Sequence, residues 1–89
     1  MKDDTENWTG VDDAPPPPWV AERSPIEGTP FYKSRLRNAE TGELRPTRTV
    51  ARMTDRRTGV TQWITTDHVL HIRRVYDTEF NRLEEETIH

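Results

Sequence analysis

The sequence predicts a mainly β protein: a small antiparallel meander, partly closed into a barrel, with a short C-terminal helix and a disordered N-terminal tail. Three observations lead there. The stretch VARMTDRRTGVTQWITTDHVLHI from Val50 to Ile72 sets β-branched and aromatic residues on both sides of a tight Thr58-Gly59 turn, and a third apolar run follows. A second Thr-Gly turn, Thr41-Gly42, separates FYKSRLRN from ELRPTRTVARMT. Apolar residues recur often from Phe31 onward, whereas before it Trp8, Val11, Trp19, Val20 and Ile26 stand isolated.

Residues 1–30 read as a disordered, acidic, proline-rich tail. Pro15 to Pro18 have fixed φ and no amide donors, so the run predicts a left-handed polyproline segment. Its first reading is a stiff linker, and the alternative is a docking peptide, APPPPW, for an aromatic-lined groove. Pro25, Gly28 and Pro30 punctuate the approach to the domain.

Residues 31–76 read as the small β-barrel-like domain. A glycine late in a short loop supplies the left-handed residue that closes a hairpin, so strands are expected at about 31–38, 44–54 and 60–65. Pro46 has no amide donor, which predicts an irregular or edge-like start to the middle strand. Trp63 and Ile64 are neighbours in a strand and point to opposite faces, so one is expected in the core and the other exposed or covered by the tail.

Residues 66–89 admit two readings. Val69, Ile72, Tyr76, Phe80 and Leu83 step as one face of a single long helix capped by Thr66 or Asp67. The other splits the segment into a tight 3₁₀ turn at Thr65–His68, a fourth strand from Val69 to Val75, and a short acidic helix over 77–89. In that reading Asp77 is the cap and the helix frays at Glu84, Glu85 and Glu86.

Residues 50–72 resemble the second half of a Src-homology-3-type barrel. In that family a hairpin with a Thr-Gly tip leads into apolar–Pro–Ser–Asn–Tyr–Val and a last short strand. Thr58-Gly59 stands at the tip here, Ile64-Thr65-Thr66-Asp67-His68-Val69 stands at the second motif, and Val69 to Ile72 opens the last strand. The resemblance implies the split reading, which we adopt. It does not carry the polyproline groove. The family's groove Pro and Tyr are Thr65 and His68 in this chain, its strand-opening Trp falls near Arg48 or Thr49, and its acidic loop has no counterpart before Phe31.

Eighty-nine residues hold one domain. A core of this size supplies about 3–5 kcal/mol of net stability. There is no cysteine, which excludes disulfides and a thiolate zinc site. No N-terminal apolar run suggests a secretory leader, and no stretch approaches a membrane span, so a cytoplasmic protein without a membrane partner is expected. The net charge of −3 conceals a pattern: residues 1–30 carry −5, residues 31–76 carry +6 and residues 77–89 carry −4.

The basic residues are nearly all arginine, which suits planar contacts to carboxylate or phosphate. The candidate binding residues are Arg35, Arg37, Arg48, Arg52, Arg56, Arg57 and Trp63. Arg48 and Arg52 share a strand face with Val50 between them, and Arg35 and Arg37 are expected beside them on the neighbouring strand. His68 and His71 lack a third ligand and are read as ordinary histidines rather than a metal site. No nucleophile motif, glycine-rich phosphate loop or paired carboxylates indicate catalysis, and no cofactor is implied. The expectation is a non-enzymatic intracellular adaptor or regulator that binds another protein, of the kind found among accessory proteins of phages and mobile elements. The alternative is a nucleic-acid-binding module that lays phosphates on the arginines and stacks a base on Tyr32 or Trp63.

Overall fold

The structure, a computed structural model, describes residues 8–11 and 15–88. It contains seven strands and, among the described residues, no helix: β1 (Thr9–Gly10), β2 (Trp19–Pro25), β3 (Tyr32–Asn38), β4 (Leu44–Thr54), β5 (Thr61–Asp67), β6 (Ile72–Tyr76) and β7 (Arg82–Thr87). They follow one another as an antiparallel meander in chain order. The chain divides into two compact units, Met1–Thr47 and Arg48–His89.

In the first unit β2 pairs with β3 along its whole length, from Trp19 opposite Asn38 to Pro25 opposite Tyr32. Residues 19–25 are therefore sheet, not tail, which corrects the expected domain start at Phe31. The reason lies in charge. Glu22, isolated in an apolar-poor stretch, sits directly opposite Arg35. The proline run is corrected as well. The Trp19 amide donates to the Pro16 carbonyl at 3.1 Å, so Pro16–Trp19 closes a turn instead of extending as a polyproline helix. The tail expected at residues 1–7 and 12–14 lies outside the described residues. Ala21 and Phe31 are buried, and so are Ser24 and Asn38. Asn38 Oδ1 accepts the Glu40 and Thr41 amides, and the Gly42 amide returns to the Asn38 carbonyl, which fixes the turn out of β3.

In the second unit β4 and β5 form a long hairpin whose register runs from Arg48 opposite Asp67 to Thr54 opposite Thr61. Asp55 builds its turn. The Asp55 amide donates to the Val60 carbonyl, the Gly59 amide to the Asp55 carbonyl and the Arg57 amide to Asp55 Oδ1, each at 2.8 Å. Gly59 closes the turn at φ +73° with open space around its α-carbon. β5 continues through Asp67, so the tight turn expected at Thr65–His68 falls three residues later, at His68–His71. There Asp67 Oδ1 accepts the Val69 and Leu70 amides. The fourth strand correspondingly begins at Ile72 rather than Val69.

The expected C-terminal helix is a strand. Asp77 does cap, but it caps a turn: its Oδ1 accepts the Glu79 and Asn81 amides. Beyond the turn β7 lies antiparallel to β6, with Glu86 opposite Arg73 and Glu85 opposite Arg74. The pairs close at 3.1 Å for Arg73–Glu86 and 2.7 Å for Arg74–Glu85, and Arg82 also reaches Glu85 at 3.0 Å. Three glutamates at a helix C-terminus would oppose the macrodipole. Across from two arginines, Glu85 and Glu86 are matched instead. The buried positions here are Val75 and, at 1 % exposure, Thr65, so little apolar surface is sequestered.

Gly59→Ala is expected to lower the urea midpoint by about 1–2 kcal/mol of stability, because a Cβ is disfavoured at this φ although nothing blocks it sterically. Unchanged stability would remove the turn's conformational requirement.

Candidate functional site

The seven candidate residues divide between the two units. In the first, Glu22 is buried between two guanidinium groups: Arg35 Nε donates to Oε1 and Arg37 Nε to Oε2, both at 2.9 Å. Arg35 and Arg37 are two apart on β3 and share a face, and Glu22 meets them from β2. The Trp8 ring lies under the Arg35 guanidinium at 3.9 Å, which adds a cation–π contact. Burial pushes the Glu22 carboxyl upward. The hydrogen bonds from Arg37 and Arg35, with their charges, outweigh that and hold it below the usual carboxylate range. The acid responsible lies thirteen and fifteen residues away, in the stretch that composition marks as tail, and it engages both Arg35 and Arg37 within the chain.

Arginine stacking recurs in this unit. Arg23 lies over Tyr32 at 4.2 Å and Arg45 over Trp19 at 4.3 Å. Tyr32, named above as a platform for a base, is thus already covered by a guanidinium.

The other five candidates lie on the β4–β5 hairpin. Arg52 stands opposite Trp63, with its guanidinium 6.0 Å from the ring centroid. Trp63 also leans on Phe80 of the β6–β7 turn, with ring centroids 6.4 Å apart and planes tilted by 47°. It is half-buried, as is Ile64 on the other face, so neither is wholly core and no helix covers either. Arg48 is opposite Asp67. Arg52, Arg56 and Arg57 are exposed and make no ion pair among the described residues. Arg35, Arg37, Arg45, Arg73, Arg74 and Arg82 all do. The structure therefore brings Arg52, Arg56, Arg57 and Trp63 to one hairpin and leaves Arg35 and Arg37 in the other unit.

The hairpin has a second face that sequence reasoning missed. Met53 is opposite Gln62, so Val60 and Ile64 are its diagonal neighbours. Met53 and Val60 are 57 % and 52 % exposed. The signal was available: the Thr58-Gly59 turn fixes the register, and the register puts these residues on one face. Two more exposed aliphatics, Val69 and Leu70, sit on the β5–β6 turn. His68 and His71 flank them. His68 Nε2 lies 3.0 Å from Thr49 Oγ1, and His71 holds φ +59°. Among the described residues no group of three His, Asp or Glu side chains converges to hold a metal ion.

Elsewhere, the Asn81 amide holds Asp77 below its ordinary value, and hydrogen bonding from Arg74 holds Glu85 below its own and raises Arg74 in return.

Glu22→Gln is expected to cost about 1.5–3 kcal/mol, the worth of hydrogen bonds to a charged group. Because the Glu22 pKa is lowered on folding, its stabilising contribution is full above the unfolded-state value and is lost as pH falls through the lower folded-state one. Denaturation between pH 6 and pH 3 (~ values spanning the carboxylate range) therefore separates wild type from Glu22→Gln at the upper end and brings them together at the lower. Parallel curves would refute the assignment.

No helix of the described residues is long and apolar enough to cross a membrane. Compared with protein-family models, curated proteins and solved structures, the chain matches none.

Proposed function

We propose that this chain is a non-enzymatic binding module, an adaptor or regulator that engages another protein through the β4–β5 hairpin. The observation that carries the reading is the division of the arginines. Six are neutralised by carboxylates of the chain itself, while Arg52, Arg56 and Arg57 project from one hairpin without such a partner. Met53 and Val60, exposed on the face away from Arg52, give the hairpin an apolar side next to Arg56 and Arg57 at its tip. Guanidinium groups next to exposed aliphatics match a protein surface of mixed acidic and apolar character. The cytoplasmic setting and the Src-homology-3-like closure expected from residues 50–72 belong to the same proposal.

The second reading, a nucleic-acid module, is favoured by Arg52 standing over Trp63, a cation and an aromatic on one strand face. It now rests on three arginines rather than six. If all three met phosphates, the affinity for a single-stranded oligonucleotide would fall with a slope of about −2 in log–log salt dependence.

Replacing Arg52, Arg56 and Arg57 together by alanine is expected to leave stability within about 0.5 kcal/mol of wild type, as for exposed positions generally. The same variant is expected to abolish capture of the protein partner by a hairpin-placed photo-crosslinker. Capture of the same protein by the triple variant would refute the reading, and oligonucleotide binding with the stated slope would replace it by the second.

A further inference from the structure

The second unit also leaves carboxylates over. Glu85 and Glu86 are held by Arg74, Arg82 and Arg73. Glu79, in the β6–β7 turn, and Glu84, on β7, are exposed and make no ion pair among the described residues. Between them stands Leu83, 50 % exposed, at the register shift where Val75 faces Glu84 and Tyr76 faces Arg82. This corner is acidic and apolar, while the hairpin end is basic and apolar.

The two lie at the same end of the unit. β5 runs away from the Asp55–Val60 turn and β6 returns, so the Asp77–Asn81 turn comes back beside the start of β5, as the Trp63–Phe80 contact records. Each side satisfies the other's charge, yet no ion pair joins them within the chain. A surface carrying both halves of a complementary pair is what an isologous two-fold contact requires, since residue i then meets residue j twice.

We propose that the partner of the hairpin is a second copy of this chain. Arg56 and Arg57 of each copy, at the hairpin tip, engage Glu79 and Glu84 of the other, and Met53 and Val60 of each pack on the other's Leu83. This deepens the proposed function and rests on the hairpin being the binding surface. The contact is small and charge-driven, which makes it weak, reversible and salt-sensitive.

Sedimentation equilibrium of the full chain tests it, from micromolar to millimolar concentration at low and high salt. A dimer that forms with rising concentration and dissolves with salt is expected. Reversing the hairpin tip (R56E, R57E) or the corner (E79K, E84K) should each weaken self-association at least about a hundredfold, because like charges then face each other. An equimolar mixture of the two variants should recover it, because both contacts become complementary again. The chain has no cysteine, so Thr58→Cys accepts a single spin label at the hairpin tip. On an unlabelled copy it should broaden the amides of Leu83 and Glu84 in a nitrogen-15-labelled copy.

A monomer across the whole range overturns the proposal, as does a dimer indifferent to both reversals or a mixture that stays monomeric. A monomeric wild type that still crosslinks a different protein through Arg52, Arg56 and Arg57 overturns self-association alone and leaves the proposed function standing. A hairpin whose triple alanine variant changes neither property removes both.

Discussion

Charge matching between adjacent strands is the constraint on which this fold depends. Among the described residues the buried apolar ones are Ala21, Phe31 and Val75, and the largest fully buried side chains are Thr65 and Ser24. With so little apolar surface to dictate register, the Arg–Glu pairs take over that task. Glu22 fixes β2 on β3, and Arg73 and Arg74 fix β6 on β7. Exposed pairs of this kind contribute only about 0.2–1 kcal/mol each. Against the small net stability of a chain this short, that is enough to favour one register over a slipped one.

The Glu22 arrangement differs from the pairs on β6 and β7. Its carboxylate is buried, accepts one guanidinium on each oxygen and has a tryptophan stacked on one of its partners. Removing an acid from such a group leaves two cations facing each other in a partly dry site, so the loss exceeds the net value of the pair. The exposed glutamates of β7 have no such amplification, since water screens whatever is left behind. The same pairing sorts the arginines: those that meet a carboxylate hold strands together, while Arg56 and Arg57 lie beyond the paired region at the β4–β5 turn and make no ion pair among the described residues.

The parts of this architecture that were legible in the sequence are those written locally. The strands around Thr41-Gly42 and Thr58-Gly59 were readable because each turn lies between its own two strands, and both glycines do adopt positive φ. β2 was not readable, since composition marks residues 19–25 as tail and the acid that docks them acts on Arg35 and Arg37 across an intervening turn. β7 was misread for a related reason. Asp77 followed by Glu79 suits the start of a short helix, but the complementarity of Arg73-Arg74 with Glu85-Glu86 outweighs that signal once the Asp77 turn brings them face to face. Of the candidate residues, the hairpin arginines and Trp63 were named from residue type and strand position, and the β4–β5 hairpin carries them. Arg35 and Arg37 were assigned to the same surface because an isolated glutamate far back in the chain gives no local sign of where it will lie. Met53 and Val60 were overlooked because register, not composition, makes them neighbours.

β7 ends the order of strands, and all six of its residues are exposed, three of them consecutive glutamates. Stacking identical chains alongside it would line up carboxylates at about 4.8 Å intervals. At neutral pH that ladder of negative charge opposes cross-β growth from this edge.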